Sequence, residues 1–570
     1  MVKLRRALVA VLILALLVLA WLWFTRPGRV EMAAYAPADS IVYVEADSLP
    51  DVLDAFTSTD AWRELAPAAG VDAGLGRKGW LPGFLSFTGL GTSDAVVTAR
   101  AQLAVSVLGF QAAEESDTTL KFSPRAALVA ETHTSEWRVR AAVEKLVGDF
   151  ARRSLGAPPV ERKEVDGVPF YTWAEAAGAR RKIVAAVRGS VAVVGNDEAA
   201  VRACLDVRRG ARPSLAGDEG LREMRARVGG EGALAFGYAP RGSVAKAVEV
   251  FAPAFVGGIS EEPHVQSVMA TLVPQIFNRT LGAVGWSTRA SGGGIEDVFY
   301  VALAEGVAGR LQGPLAPAPH AAAAAELLPA DTYQATFYDF RSPEEAYRGT
   351  GAALSSQVDV SSAILVSRGL EAFLKPYGVE SPREFLRACG TQLVTARLGP
   401  ASEGKVLVAS VRDRAALREQ ALAHLGRGAR AERAGDAEIL VSQDPERGAA
   451  AFAGELLLMG QEDDVRLCVR ARAEGRTLRG GDVLKSAPRE FTSGDALART
   501  LTDDREAARA VLSRLGRRGD AGGLEAALAR RGYSFSQTRL ADGGFEKRTL
   551  SAFGMFGEIY ARLTTRRGEQ

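Results

Sequence analysis

The residues in this sequence best suited to nucleophilic, redox or metal chemistry are three cysteines, Cys204, Cys389 and Cys468, and four histidines, His133, His264, His320 and His424. Their spacing argues against such chemistry. There is no CxxC pair and no histidine adjoins a cysteine, so local sequence builds neither a zinc site nor a disulfide framework. A His-based triad would have to be gathered by the fold from distant segments. Val201, Cys204 and Leu205 stand at i, i+3 and i+4, as do Val465, Cys468 and Val469, which puts both thiols on core-facing helix stripes as structural residues. Cys389, in FLRACG near an expected helix end, is predicted to be the exposed thiol.

Gly74-Leu-Gly76-Arg-Lys-Gly79 has the GxGxxG spelling that lets a pyrophosphate approach a helix N-terminus. Its surroundings are wrong: LAPAAGVDA precedes it where a strand is needed, and Trp80-Leu81-Pro82 follows where a helix should start. No GxSxG, SxxK, HExxH or Walker A spelling occurs in a usable context, and no pair of carboxylates is singled out. No catalytic residue, cofactor site or metal site is therefore assigned. Asn278-Arg279-Thr280 has a glycosylation spelling that the bacterial reading below leaves without a role.

The chain has 70 basic and 68 acidic residues, a net charge of +2. This leaves no surplus to neutralise a phosphate backbone, so nucleic acid is not an expected partner. At 570 residues, with 47% hydrophobic and 24% charged, the chain exceeds one ordinary core and should fold as two or more globular units. Its Ala-, Gly- and Arg-rich composition points to a bacterium.

The first thirty residues set the compartment. Lys3, Arg5 and Arg6 precede an apolar run from Ala7 to Phe24, to which Leu8, Leu12, Leu14, Leu16, Leu17 and Leu19 contribute. As a helix this run reaches about 27 Å, enough to span a bilayer. It ends in Trp21, Trp23 and Phe24, rings suited to the headgroup layer, followed by Arg26 and Arg29. The lipid bilayer is thus the first expected partner. The expected topology is a single-pass signal-anchor with residues 1–6 in the cytoplasm and the bulk periplasmic or extracellular. Cleavage is disfavoured because the nearest small-x-small site, Ala34-Tyr35-Ala36, lies far downstream and is followed by Pro37.

Paired segments then recur in the same order. Pro37-Ala38-Asp39-Ser40 before IVYVEA is echoed by Pro329-Ala330-Asp331-Thr332 before YQATFYDF, each a turn feeding a strand, with the Asp expected to bond the turn backbone. Ser48-Leu49-Pro50-Asp51 and Ser342-Pro343-Glu344-Glu345 read as capped helix starts. Gly189-SVAVV-Gly195, then Cys204 and Gly210, is matched by Gly454-ELLLM-Gly460, then Cys468 and Gly475. RAALVAETHTSEWRVRAAVEKL has its echo in KVLVASVRDRAALREQALAHL, and Gly294-Ile295-Glu296 in Gly544-Phe545-Glu546. The expected organisation is a linker over 25–34, a first repeat over 35–312, a Pro/Ala spacer over 313–325, a second repeat over 326–563 and a tail over 564–570. Each repeat is expected to be α+β, a mostly antiparallel sheet with helices on one face.

An anchor, an LPADT-like opening (Leu328 to Thr332) and a strand-helix segment with G-x5-G resemble a bacterial exported family known only as a domain of unknown function. The resemblance implies no activity and no catalytic residues. The C-terminal stripe Phe553, Phe556, Ile559, Tyr560 and Leu563 is expected to pack into a core. The function expected from all this is a non-catalytic binding or scaffolding module of the cell envelope, with an envelope protein or lipid as partner. The alternatives are an apolar-ligand (lipid) carrier or sensor, and an exported hydrolase without a recognisable motif.

Overall fold

The computed structural model describes residues 28–70, 101–116, 119–156, 159–175, 181–256, 263–320, 322–400, 404–480, 487–492, 495–515, 521–529 and 532–555, with isolated positions between them. The apolar run Ala7–Phe24, the glycines at 74–79 and the stripe residues from Phe556 onward lie outside the described residues.

Among the described residues ten strands form the first half: β1 Val42–Ala46, β2 Gln102–Ser116, β3 Thr119–Glu131, β4 Val160–Val165, β5 Val168–Ala174, β6 Lys182–Arg188, β7 Val191–Gly195, β8 Ala235–Ala239, β9 Leu281–Ser291 and β10 Gly294–Leu303. Ten more form the second: β11 Gln334–Asp339, β12 Cys389–Arg397, β13 Lys405–Val411, β14 Arg430–Ala434, β15 Ala437–Val441, β16 Ala449–Ala453, β17 Leu456–Gly460, β18 Ala498–Asp503, β19 Tyr533–Ala541 and β20 Gly544–Ser551. The fold is α+β, and every pairing between these strands is antiparallel.

Pairing runs β4-β5-β6-β7-β3-β2-β1-β8-β9-β10 across the first half. Across the second it runs β14-β15-β16-β17-β13-β12-β11-β18-β19-β20, the same order. The two halves meet where β10 pairs with β20, and this register is self-matching. Counted from Gly294 and Gly544, Ile295 faces Ser551 while their counterparts Phe545 and Val301 face each other, and Val298 faces its own counterpart, Arg548. A local pseudo-twofold axis therefore passes between β10 and β20, the arrangement of an isologous contact within one chain.

The repeated short segments do matching work. Ser40 and Thr332 donate their hydroxyls to the carbonyls of Pro37 and Pro329, and Pro37 and Pro329 bridge to Ser214 and Thr477. The sequence predicts that the Asp bonds the turn backbone, but the turn is closed by the following hydroxyl, which donates to a carbonyl as an ionised carboxylate cannot; Asp39 pairs outward with Arg212, and Asp331 is exposed. Ser48 and Ser342 cap their helices by accepting from the N–H groups of Asp51 and Glu345. Gly189 (φ 61°) and Gly454 (φ 60°) make the hairpin turns before β7 and β17, and Gly210 and Gly475 follow the next helices. A Cβ on Gly195 would stand 2.7 Å from the Ala126 carbonyl oxygen, and one on Gly460 2.9 Å from that of Lys405.

One expectation fails: helices cover both faces of the sheet, not one. Phe170, Val184, Ala186, Val191 and Val193 meet the helix Glu198–Arg208 in one core, while Tyr171, Trp173, Ala185, Val187 and Ala192 meet the helix Glu136–Leu155 in another. In the second half Ile439, Ala451 and Leu458 face the helix Glu462–Ala473, and Leu440, Phe452 and Leu457 face the helix Arg414–Leu425. Strands such as AAAFA and LLLMG are continuous apolar runs because both of their sides are covered.

Neither expected spacer hangs free where it is described. Val30 exchanges both backbone bonds with the Gln102 amide at 2.9 Å, and Met32, Ala33, Tyr35 and Ala36 belong to the first core. In the Pro/Ala segment, Pro317 bridges to Phe340 and the Ala318 N–H donates to the Asp339 carbonyl, ahead of Ala324, Ala325, Leu327 and Leu328 in the second core.

Candidate functional site

Among the described residues, polar and titratable groups converge at several places. At the N-terminal clasp, Tyr35 donates its hydroxyl to Glu131 Oε2 (3.0 Å) and the His133 N–H donates to Glu131 Oε1 (2.9 Å). Gln102 Oε1 accepts the Val30 N–H, and Gln102 Nε2 donates to the Val30 carbonyl and to Asp47 Oδ1 (3.1 Å). Gln102 Oε1 is thereby fixed as an acceptor, so His133 Nε2, 3.0 Å away, carries the proton and donates to it. His133 holds a left-handed backbone (φ 52°) to make this contact. Each of these groups serves to hold residues 30–36.

The second place is deeper. Arg499, fully buried, pairs with Asp339, whose carboxylate also accepts from His320 Nδ1 at 3.1 Å. Arg499 Nε donates to the Phe491 carbonyl (2.7 Å), and the imidazole stands edge-on to Phe337 and Phe491. A His–Asp pair can serve general-base catalysis, but here the same carboxylate is committed to a guanidinium in a packed interior, which fits structural pairing. In the third place, Tyr43 donates to Glu45 (2.6 Å), which also pairs with Arg225 (2.6 Å). Burial pushes the Glu45 carboxyl above its usual range against the pull of Tyr43 and Arg225.

The fourth is a cleft of ≈ 650 Å³ in the second half, beside Gly460 and the start of the helix Glu462–Ala473. Lys375, Lys405 and Arg447 line it together with Glu446, Asp463 and Asp464, and His424 bonds Glu380 Oε1 at 3.0 Å beside it. Burial, then the neighbouring Asp463, raises the Asp464 carboxyl. No serine, threonine or cysteine is among its lining residues, so any nucleophile here would have to be a lysine, histidine, tyrosine or carboxylate. A separate apolar groove of ≈ 180 Å³ lies among Tyr338, Phe340, Tyr347, Leu370, Phe373 and Leu374.

Cys204 and Cys468 are buried where helix periodicity placed them. Cys389 is buried too, contrary to expectation. It opens β12 directly after the helix Pro382–Ala388 and packs with Phe385 and Leu386, so the helix end turns inward. Burial pushes all three thiols up to about 12. Phe553 packs with Phe56 and Trp62, as expected for a core residue. Among the described residues no group of three or more His, Cys, Asp or Glu side chains could hold a metal ion, and no helix is long and apolar enough to cross a membrane.

Sequence reasoning missed the Gln102–His133 clasp and the Arg499–Asp339–His320 cluster. Their members are separated by up to 179 positions between His320 and Arg499, and no local pattern marks them. Compared with protein-family models, curated proteins and solved structures, the chain matches none. The likeness to an exported family gains nothing from these comparisons, and function has to be argued from the chain's own residues.

Proposed function

We propose that this chain is a single-pass envelope protein, held by Ala7–Phe24, whose body is a non-catalytic binding or scaffolding module on the non-cytoplasmic side of a bacterial membrane. The observation that carries the reading is the place of residues 30–36. The chain just beyond the apolar run is built into the first core, with Met32, Ala33, Tyr35 and Ala36 buried. Cutting at Ala34-Tyr35-Ala36 would remove core side chains and leave the Gln102 amide without Val30, so an uncleaved anchor suits the body better than a removable signal. The matching strand orders add a reason for scaffolding: one chain repeats the same strand framework twice and can engage a repeated or dimeric partner with gain in avidity.

The two halves offer comparable probes. Arg162 on β4 and Ala431 on β14 are exposed residues at the same hairpin position of terminal strands. A photo-crosslinking amino acid at either position, in intact cells, is expected to give an adduct with the same partner. Two unrelated adducts, or none from either position, would contradict scaffolding through the repeated surface.

A second reading, a carrier for an apolar ligand, is favoured by the groove around Tyr338 and Phe373. Its ≈ 180 Å³ falls below the roughly 300 Å³ at which small-molecule sites usually begin. A bound acyl chain identified by mass spectrometry of the purified full chain, and lost on Leu393→Trp, would favour it over scaffolding.

A further inference from the structure

We infer that the strand end bearing Trp137, Arg138 and Arg188 rests on the lipid headgroup layer, so that the body stands directly on the bilayer beside its anchor. The inference takes the anchor reading as given and adds an orientation to it.

The first ground is reach. Val30, whose two backbone groups are fixed by Gln102, is the sixth residue after Phe24. Even fully extended, six residues span only about 20 Å. The clasp is therefore held within that distance of the end of the apolar run.

The second is what shares this end of the sheet. Gln102 opens β2 opposite Glu131, the last residue of β3, and Glu131 faces Val191 at the start of β7. Val191 faces Arg188 at the end of β6, and the Thr132 N–H donates to the Ser190 carbonyl in the intervening turn. The helix Glu136–Leu155 starts here, and its Glu136 accepts from the Gly189 N–H at 2.7 Å. Residues clasping the chain from the membrane and residues 131–138 and 188–191 thus form one rim.

The third is chemistry. Trp137 is 67% exposed, the most exposed aromatic ring among the described residues, and Arg138 lies over it with 5.1 Å to the centroid. No described acid pairs with Arg138 or Arg188, whereas most acids of this rim are engaged: Asp47 and Asp51 by Arg29, Glu131 by Tyr35 and the His133 N–H, and Glu136 by Arg140 and the Gly189 amide, with Glu31 exposed. An exposed indole beside unpaired guanidiniums matches the interfacial zone of a bilayer with anionic lipids. The fold does not require these side chains, because the matching positions of the second half, counted from the helix caps and the hairpin glycines, are Ala415, Ala416 and Ala453.

Ser135 is exposed and makes no capping bond, so Ser135→Cys carries a reporter at this rim with Trp137 in place. Arg153→Cys, sixteen residues further along the helix axis from Trp137, sits about 24 Å away. Each full-length variant is reconstituted in phosphatidylethanolamine/phosphatidylglycerol vesicles and labelled with a fluorophore, the native thiols being buried. Bromine-labelled lipid is expected to quench the Ser135→Cys label at least twofold and leave the Arg153→Cys label unchanged, and adding Trp137→Ala should reduce the quenching. Equal, unquenched emission from both labels on chains that float with the vesicles would overturn the orientation alone. Chains that fail to float would overturn the anchor reading and this one with it.

Discussion

At the residue scale, the interior of the molecule is held by polar groups that were chosen from far apart in the chain. Arg499 and Asp339 are both buried and form an ion pair. Removing one leaves an uncompensated buried charge, so Arg499→Ala is expected to destabilise the body by about 3–5 kcal/mol in denaturant unfolding; a change near zero would mean the pair is not buried as described. Glu45 makes a pH-dependent contribution. Its carboxyl is raised by burial, so folding takes up a proton: the contribution is fully present below the ordinary glutamate value and is lost as pH rises through the raised one. Glu45→Gln should flatten that part of the stability-versus-pH curve, and an unchanged slope would contradict the assignment. The three thiols, pushed up to about 12, should stay unreactive toward a thiol reagent at pH 8 in the folded chain and react together on unfolding. Helix periodicity made two of these cysteines legible. Cys389 was not, because its burial depends on where the following strand leads, and the same limit hid the Gln102–His133 clasp.

At the scale of elements, local chemistry was readable and layering was not. Ser48 and Ser342 cap the helices that their spacing marked, and the glycines bracketing β7 and β17 stand where the chain turns or strands approach closely. Which sides of a strand are covered cannot be read from a run such as LLLMG, because an apolar run of that length has no period to separate two faces. Gly195 and Gly460 allow a direct comparison of the halves. A methyl group at Gly195 meets the Ala126 carbonyl and Val201, and at Gly460 it meets the Lys405 carbonyl and Val406. Alanine at either site should cost about 1–3 kcal/mol by overpacking, by a similar amount at both. A neutral effect at one and a large loss at the other would show that the two positions are not packed alike. The terminal strands carry their own safeguard: VERKEV and RAERA are charged and largely exposed, which discourages edge-to-edge association.

At the scale of the whole molecule, the repeated strand order and the self-matching β10–β20 register give a chain whose halves meet as two copies of one protein would. The recurring segments announced the order of elements, but not that the halves would share a sheet edge, since nothing in GIEDVFYVAL or GFEKRTLS names its partner strand. The proposed anchor is the opposite case: it is expected from composition alone, its residues lie outside the described ones, and the clasp at Val30 fixes the chain six positions beyond Phe24. The most direct test of the account is a dual reporter, active as one enzyme in the cytoplasm and another in the periplasm, fused after Gln570 of the full chain. The account predicts periplasmic activity from a fusion that stays with the membrane after alkaline washing. Cytoplasmic activity, or intact product in the wash, would contradict it.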